Sequence, residues 1–189
     1  MKKICVFASG TGTNTENIIR YFQHHPDGVV SLVVSNQPTA GVVDRARNLG
    51  VPVCICTRQE LESPQGLTLT LQKAGIDLIV LAGFLRLIPP ALLSAFPNQI
   101  INIHPSLLPK YGGKGMYGMK VHHAVIEAGE TESGITIHTV NEHYDKGAIL
   151  LQKSCPILPG DTPDDLAKKI HALEHLYYPV LIESLIKSR

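Results

Sequence analysis

Asn102 and His104 stand two positions apart in Ile100-Ile101-Asn102-Ile103-His104-Pro105, a run of strand formers that ends in proline. On a strand alternate side chains share a face, so the amide and the imidazole project to one side. Asn supplies a donor that no pH change removes, and His supplies a proton carrier near neutrality. Asp145 follows a second strand-like run and precedes Gly147, which lets it return in a loop and hold that imidazole. The set suits acyl transfer to an amine. A tetrahedral intermediate needs donors for its oxyanion, and a proton must travel from the attacking amine to the leaving nitrogen. The same residues would also serve as strand-end caps and turns, and spacing alone leaves both readings open.

Ser9-Gly10-Thr11-Gly12-Thr13-Asn14 joins an apolar strand-like run to a helical stretch. Glycines let the backbone turn sharply and approach a ligand, while free amides at a helix start favour an anion. A dinucleotide fingerprint requires a further glycine where Thr15 stands. The loop therefore reads as a phosphate-monoester site, with a plain turn capped by Thr13 or Asn14 as the alternative. His104, His122, His123, His138 and His143 match no metal-ligand spacing, because adjacent His122 and His123 diverge on a helix; no metal is expected. No Gly-x-Ser-x-Gly elbow marks a serine nucleophile. His171 and Glu174 share a helix face and read by themselves as a solvated pair.

Seventeen Lys and Arg oppose 16 Asp and Glu, for a net charge of +1. That balance argues against a broad electrostatic grip on nucleic acid or anionic lipid and points to small-molecule substrates. The apolar runs are too short to cross a bilayer, and Met1-Lys2-Lys3 leads straight into a strand without a signal peptide's length, so a cytoplasmic address is expected. Cys54 and Cys56 are one residue apart, not the two of zinc or redox pairs, and with Cys5 and Cys155 they read as small buried thiols.

The elements that must position these groups alternate. Strands are expected at Ile4 to Ala8, Val29 to Val34, Val51 to Ile55, Leu78 to Ala82 and Ile100 to Ile103. Helices are expected from Asn14 to Phe22, with Ile18, Tyr21 and Phe22 on one face, from Thr39 to Leu49, and more weakly from Leu61 to Lys73 with a break at Ser63-Pro64. A short helix opening at Pro89-Pro90 precedes the fifth strand. Continuous apolar strands separated by helices imply a parallel sheet covered on both faces, with functional residues beyond the strands' carboxyl ends. Residues 105–120 form a long Pro- and Gly-rich loop, and 122–128 a helix. Gly134 to Val140 alternates as an antiparallel edge strand would, and Ala148 to Ile157 pairs with it. A final helix starts at Thr162 with Pro163 in its first turn and Asp165 at a capping-box position; Leu166, Ile170, Leu173, Tyr177 and Leu181 form its buried stripe, and Pro179 kinks or divides it. The fold class is thus α/β and Rossmann-like, a mostly parallel twisted sheet with an antiparallel C-terminal extension. One domain spans 1–189, with a phosphate-binding half at 1–104 and the loops, edge strands and final helix at 105–189.

Four segments occur in order: Ser9-Gly10-Thr11-Gly12-Thr13-Asn14, Leu81-Ala82-Gly83-Phe84-Leu85-Arg86, Asn102 through Lys110 reading Asn-Ile-His-Pro-Ser-Leu-Leu-Pro-Lys, and Asp145-Lys146-Gly147. Together they resemble the folate-dependent formyltransferases over nearly the whole chain, and the glycine loop points to the branch that acts on glycinamide ribonucleotide in purine synthesis. The resemblance implies Asn102, His104 and Asp145 as the catalytic set, with Asp145 raising the His104 pKa. It implies Gly12, Thr13 and Asn14 on the substrate phosphate, and Glu174 with His171 on the same substrate. It implies Leu85, Arg86, Leu87 and Ile88, together with Asn102 and the loop Asn141, Glu142, His143, Tyr144 and Asp145, around the folate. The co-substrate would be 10-formyltetrahydrofolate, with no metal, and the protein a monomer or homodimer.

Two departures from the family pattern stand out. After Lys110-Tyr111 the family commonly continues through Pro-Gly, where this chain has Gly112-Gly113-Lys114-Gly115-Met116-Tyr117-Gly118; and 57–75 is short, leaving Arg58 as a candidate for the family's basic contact. Among rivals, a methionyl-tRNA formyltransferase would need a tRNA-binding domain and a more basic surface. A formyltetrahydrofolate hydrolase would carry an N-terminal regulatory domain. A non-catalytic nucleotide-binding module would leave Asn102, His104 and Asp145 unexplained.

Overall fold

A computed structural model describes residues 1–188. In chain order the elements are β1 (Lys2–Phe7), α1 (Thr13–Phe22), β2 (Gly28–Ser35), α2 (Gly41–Asn48), β3 (Val53–Ile55), α3 (Arg58–Glu62), α4 (Leu69–Ala74), β4 (Leu78–Leu81), α5 (Pro90–Ala95), β5 (Ile100–His104), α6 (Met119–Glu127), β6 (Glu132–Thr139), β7 (Ile149–Pro156) and α7 (Pro163–Lys187). They build one seven-stranded sheet in the order β3-β2-β1-β4-β5-β6-β7. The first five strands run parallel, and β6 and β7 join antiparallel, as the α/β reading requires.

Strand periodicity explains the two-sided core. Ile4, Val6, Leu78, Val80 and Ile101 face a cluster shared with Ile18, Phe22, Val42, Ile170 and Tyr178. The intervening Cys5, Phe7, Ile79, Leu81 and Ile100 face a second cluster with Leu61, Leu71, Leu92 and Phe96. Strands covered on both faces leave no polar register, so their sequences are apolar throughout.

Several local expectations are corrected. The segment 134–140 is not an edge: β6 lies between β5 and β7, and β7 is the edge strand. The α7 stripe runs through Leu166, Ile170, Glu174, Tyr178, Ile182 and Ile186, while Leu173, Tyr177 and Leu181 are only partly buried beside it. Pro179 does not divide α7, which runs unbroken from Pro163 to Lys187. Tyr21 is exposed and donates to Glu183, and Ile19 takes its place on the buried face of α1. The helical stretch near 61 opens earlier, at Arg58, because Thr57 and Glu60 form a reciprocal capping box. The Thr162–Asp165 capping box forms as read.

Tyr178 explains why α7 seats so firmly under the cleft. It is fully buried, and its hydroxyl donates to the Leu81 carbonyl at 2.9 Å, at the end of β4. Tyr178→Phe leaves that carbonyl without its hydroxyl donor and should cost about 1–2 kcal/mol, read as a lower urea midpoint at unchanged m-value.

Candidate active site

The parallel strands deliver three loops to one end of the sheet, at the switch between β1 and β4 where such folds bind ligands. The loops after β1, β4 and β5 meet there around a cleft of about 760 Å³. Asn102 and His104 both line it, as their spacing on β5 requires. Antiparallel pairing sets His138 of β6 directly opposite Asn102.

The polar groups of this cluster interlock. His138 Nδ1 lies 2.8 Å from the Thr139 carbonyl, which can only accept, so a proton sits on Nδ1, and Nε2 lies 3.6 Å from Asp145 Oδ1. Asn102 Nδ2 meets that Nε2 at 3.1 Å and donates to Asp145 Oδ1 at 3.4 Å. His104 Nε2 lies 2.8 Å from the Tyr111 carbonyl, and its Nδ1 faces Asp145 Oδ2 at 3.5 Å. The Gly113 amide donates to the same Asp145 oxygen at 2.8 Å. The unusual glycine run thus serves as a clamp on Asp145. Asp145 itself adopts a left-handed φ of 55°, a conformation open to Asp, and a Cβ at Gly147 would fall 1.6 Å from the Thr139 carbonyl oxygen. Only glycine lets the loop cross β6 there and return Asp145 to the imidazole.

Burial dominates the His104 imidazole and holds it below its ordinary pKa, against the upward pull of Asp145 and the Tyr111 carbonyl. Asp145 does raise it, as expected, but desolvation outweighs the carboxylate, and the resting imidazole is neutral. Burial alone would raise Asp145, but His138, His104 and the Gly113 amide together keep its carboxyl below the usual range. Burial lowers His122 in the same way. The consequence for stability has a definite sign. Below the ordinary value of 6.5 the unfolded chain takes up protons on both imidazoles that the folded chain resists. The unfolded state then binds more protons, so stability falls as pH falls. The thermal midpoint should drop between pH 6.5 and 5, and the double variant His104→Asn/His122→Leu should show a shallower drop.

At one end of the cleft the chain enters α1 through Gly12, whose φ is +81°, and no side chain caps the helix. Neither Thr13 nor Asn14 caps the turn there. Asn14 Nδ2 instead donates to Glu174 Oε2 at 2.9 Å, and His171 Nδ1 meets the same oxygen at 2.9 Å. The first amides of α1 face outward without a carboxylate or hydroxyl cap, an arrangement suited to a phosphate. Glu174 is not a solvated partner: it is 6% exposed and turned into the cleft. That hydrogen bond raises the half-exposed His171.

Part of the rim is apolar. Leu85 and Leu87 are exposed beside Arg86, with Ile88 buried behind them, and the Leu85 amide donates to Ser9 Oγ at 3.0 Å. Asn141, His143 and Tyr144 line the same cleft, whereas Glu142 is exposed and does not line it. Arg58 pairs with Glu62 on α3 and does not line it either. Sequence reasoning missed His138, the Tyr111 carbonyl and the Gly113 amide. Strand alternation at 134–140 held a signal for His138, but its register against β5 did not show.

All four cysteines are free thiols; Cys5 and Cys56 are buried, Cys54 and Cys155 partly so. Burial pushes Cys56 up to about 12, which makes it a poor nucleophile. Among the described residues no group of three or more His, Cys, Asp or Glu is placed to hold a metal ion, and no helix is long and apolar enough to cross a membrane.

Fold and cleft define a doubly wound α/β domain for small-molecule chemistry, with an Asn–His–Asp cluster at the carboxyl end of a central strand. The chain belongs to the formyl transferase family, whose profile it matches over residues 2–182. It is 38% identical to a phosphoribosylglycinamide formyltransferase of Haemophilus influenzae, over 100% of this chain and 89% of that one. It is 43% identical to the chloroplastic phosphoribosylglycinamide formyltransferase of Arabidopsis thaliana. The chain spans 66% of the Arabidopsis protein and 62% of a similar one from Vigna unguiculata. The crystal structure of glycinamide ribonucleotide transformylase 1 from Symbiobacterium toebii superposes with a TM-score of 0.89 at 37% identity, covering 100% of this chain and 89% of that one.

Proposed function

We propose that this chain transfers the formyl group of 10-formyltetrahydrofolate to the amine of 5′-phosphoribosylglycinamide, in purine synthesis. One observation carries the reading: Asn102, His104 and Asp145 line a single cleft together with an uncapped helix N-terminus and the apolar side chains of Leu85 and Leu87. The phosphate binds the amides around Gly12, Thr13 and Asn14, and Glu174 with His171 holds the ribose. The folate lies along Leu85, Arg86, Leu87 and Ile88, against the loop Asn141 to Asp145. No metal takes part.

In this mechanism the glycinamide nitrogen attacks the formyl carbon, a C–N bond forms, and the carbonyl electron pair moves to oxygen. Asn102 Nδ2 exchanges its longer, 3.4 Å contact for that oxyanion. A water beside Asp145 takes the amine's proton, and His104 Nδ1, facing the carboxylate, accepts it. The imidazolium stabilises the oxyanion until collapse breaks the bond to N10 and the proton passes to that nitrogen. Pre-placed donors in a site shielded from water supply the main stabilisation.

The test is an absorbance assay with a 10-formyl folate analogue, with and without glycinamide ribonucleotide. Turnover that requires the ribonucleotide supports the transferase. Equal turnover in water alone assigns a hydrolase and overturns this reading.

A further inference from the structure

Among the described residues His122 is a buried imidazole that makes no hydrogen bond. It is 4% exposed on α6, its Nδ1 is sealed without a partner, and its side chain lines the cleft. A sealed N–H without an acceptor is rarer than a sealed acceptor without a donor, so the proton belongs on Nε2. Nε2 is not among the sealed atoms and is the edge turned to the cleft. Burial keeps the ring neutral near pH 7.

α6 packs on α7, and His122 and Glu174 both line the cleft, with the Glu174 charge acting on the ring. Glu174 Oε2 is already engaged by Asn14 and His171. Its Oε1 makes no hydrogen bond and is not sealed from the cleft. The same cleft therefore presents an unpaired donor and an unpaired acceptor. A phosphate or carbonyl oxygen has no proton for Glu174 and would meet its charge. A hydroxyl satisfies both, since its oxygen accepts and its hydrogen donates.

We propose that His122 Nε2 and Glu174 Oε1 together hold a ribose hydroxyl of the acceptor substrate, which makes His122 a residue that selects ribosyl over deoxyribosyl acceptors. The proposal rests on the acceptor reading given above and deepens it.

The test compares KM for glycinamide ribonucleotide and for its 2′,3′-dideoxy analogue in wild type, His122→Leu and His122→Asn, with calorimetric binding of each acceptor alone. Wild type should prefer the ribosyl acceptor by roughly tenfold or more, the worth of one well-placed buried hydrogen bond. His122→Leu should weaken that preference several-fold, leaving the part that Glu174 supplies, by raising KM for the ribosyl acceptor alone, with the folate KM unchanged. Its thermal midpoint should not fall, because the substitution removes a buried polar group that lacks a partner. His122→Asn, which restores a donor, should recover part of the preference. A folded Leu variant that keeps the full preference, or loses affinity equally for both acceptors, overturns the assignment. If His122→Leu does not fold, the Asn variant decides by the same comparison. Wild type that neither binds nor formylates either acceptor would overturn the acceptor reading itself; loss of the His122 effect alone leaves that reading standing.

Discussion

Asp145→Asn and His104→Asn should each lower kcat by about 10²–10⁴-fold, the span general acid–base groups contribute, while KM for both substrates stays within a few-fold. By transition-state arithmetic that loss is about 3–5 kcal/mol of barrier. The asparagine at 145 is nearly isosteric and can still accept from the Gly113 amide, now 2.8 Å away. What disappears is the negative charge 3.5 Å from His104 Nδ1, the feature that makes a transient imidazolium affordable in a site where burial opposes it. Because the two residues act as one unit, the double variant should be little slower than the worse single one. Steady-state kinetics with circular dichroism as a folding control checks this. Near-wild-type turnover in either folded variant would remove His104 and Asp145 from the chemistry.

The second large effect is expected at Gly12. Its φ of +81° disfavours any residue with a Cβ, and a Cβ there would stand 2.6 Å from the Val42 Cα on α2. Left-handed backbone costs roughly 1–2 kcal/mol and overpacking against fixed backbone roughly 1–3 more, so Gly12→Ala should destabilise by about 2–5 kcal/mol. Relief of the clash moves the start of α1, and with it the amides assigned to the phosphate. KM for the ribonucleotide should therefore rise at least tenfold while the folate KM changes little. Urea denaturation and two-substrate kinetics give both numbers. A stable Gly12→Ala protein with unchanged ribonucleotide KM would refute the phosphate assignment.

Much of the scaffold was readable because it rests on local rules. Apolar runs bounded by helical stretches demand a sheet covered on both faces, and that demand places the loops after Phe7, Leu81 and His104 at one end. The capping signal at Thr162 and the pairing of Asn102 with His104 on one strand face follow from spacing alone. Hydrophobicity alone does not mark the α7 stripe, because apolar Leu173, Tyr177 and Leu181 compete with a neighbouring row that includes Glu174 and Tyr178. Those two polar-tipped residues are buried for contacts that hydrophobicity does not encode: Asn14 with His171 for one, the Leu81 carbonyl for the other.

The sequence by itself determined which side chains have the chemistry: an amide and an imidazole two apart on a strand, a carboxylate after a turn, and glycines before a helix. Tertiary structure alone decided their state. Setting β6 inside the sheet placed His138 opposite Asn102, the fold of the glycine loop brought Gly113 and the Tyr111 carbonyl to Asp145 and His104, and burial left His104 neutral despite its carboxylate. Register, loop path and desolvation are sums over contacts distant in the chain, so no local pattern carries them.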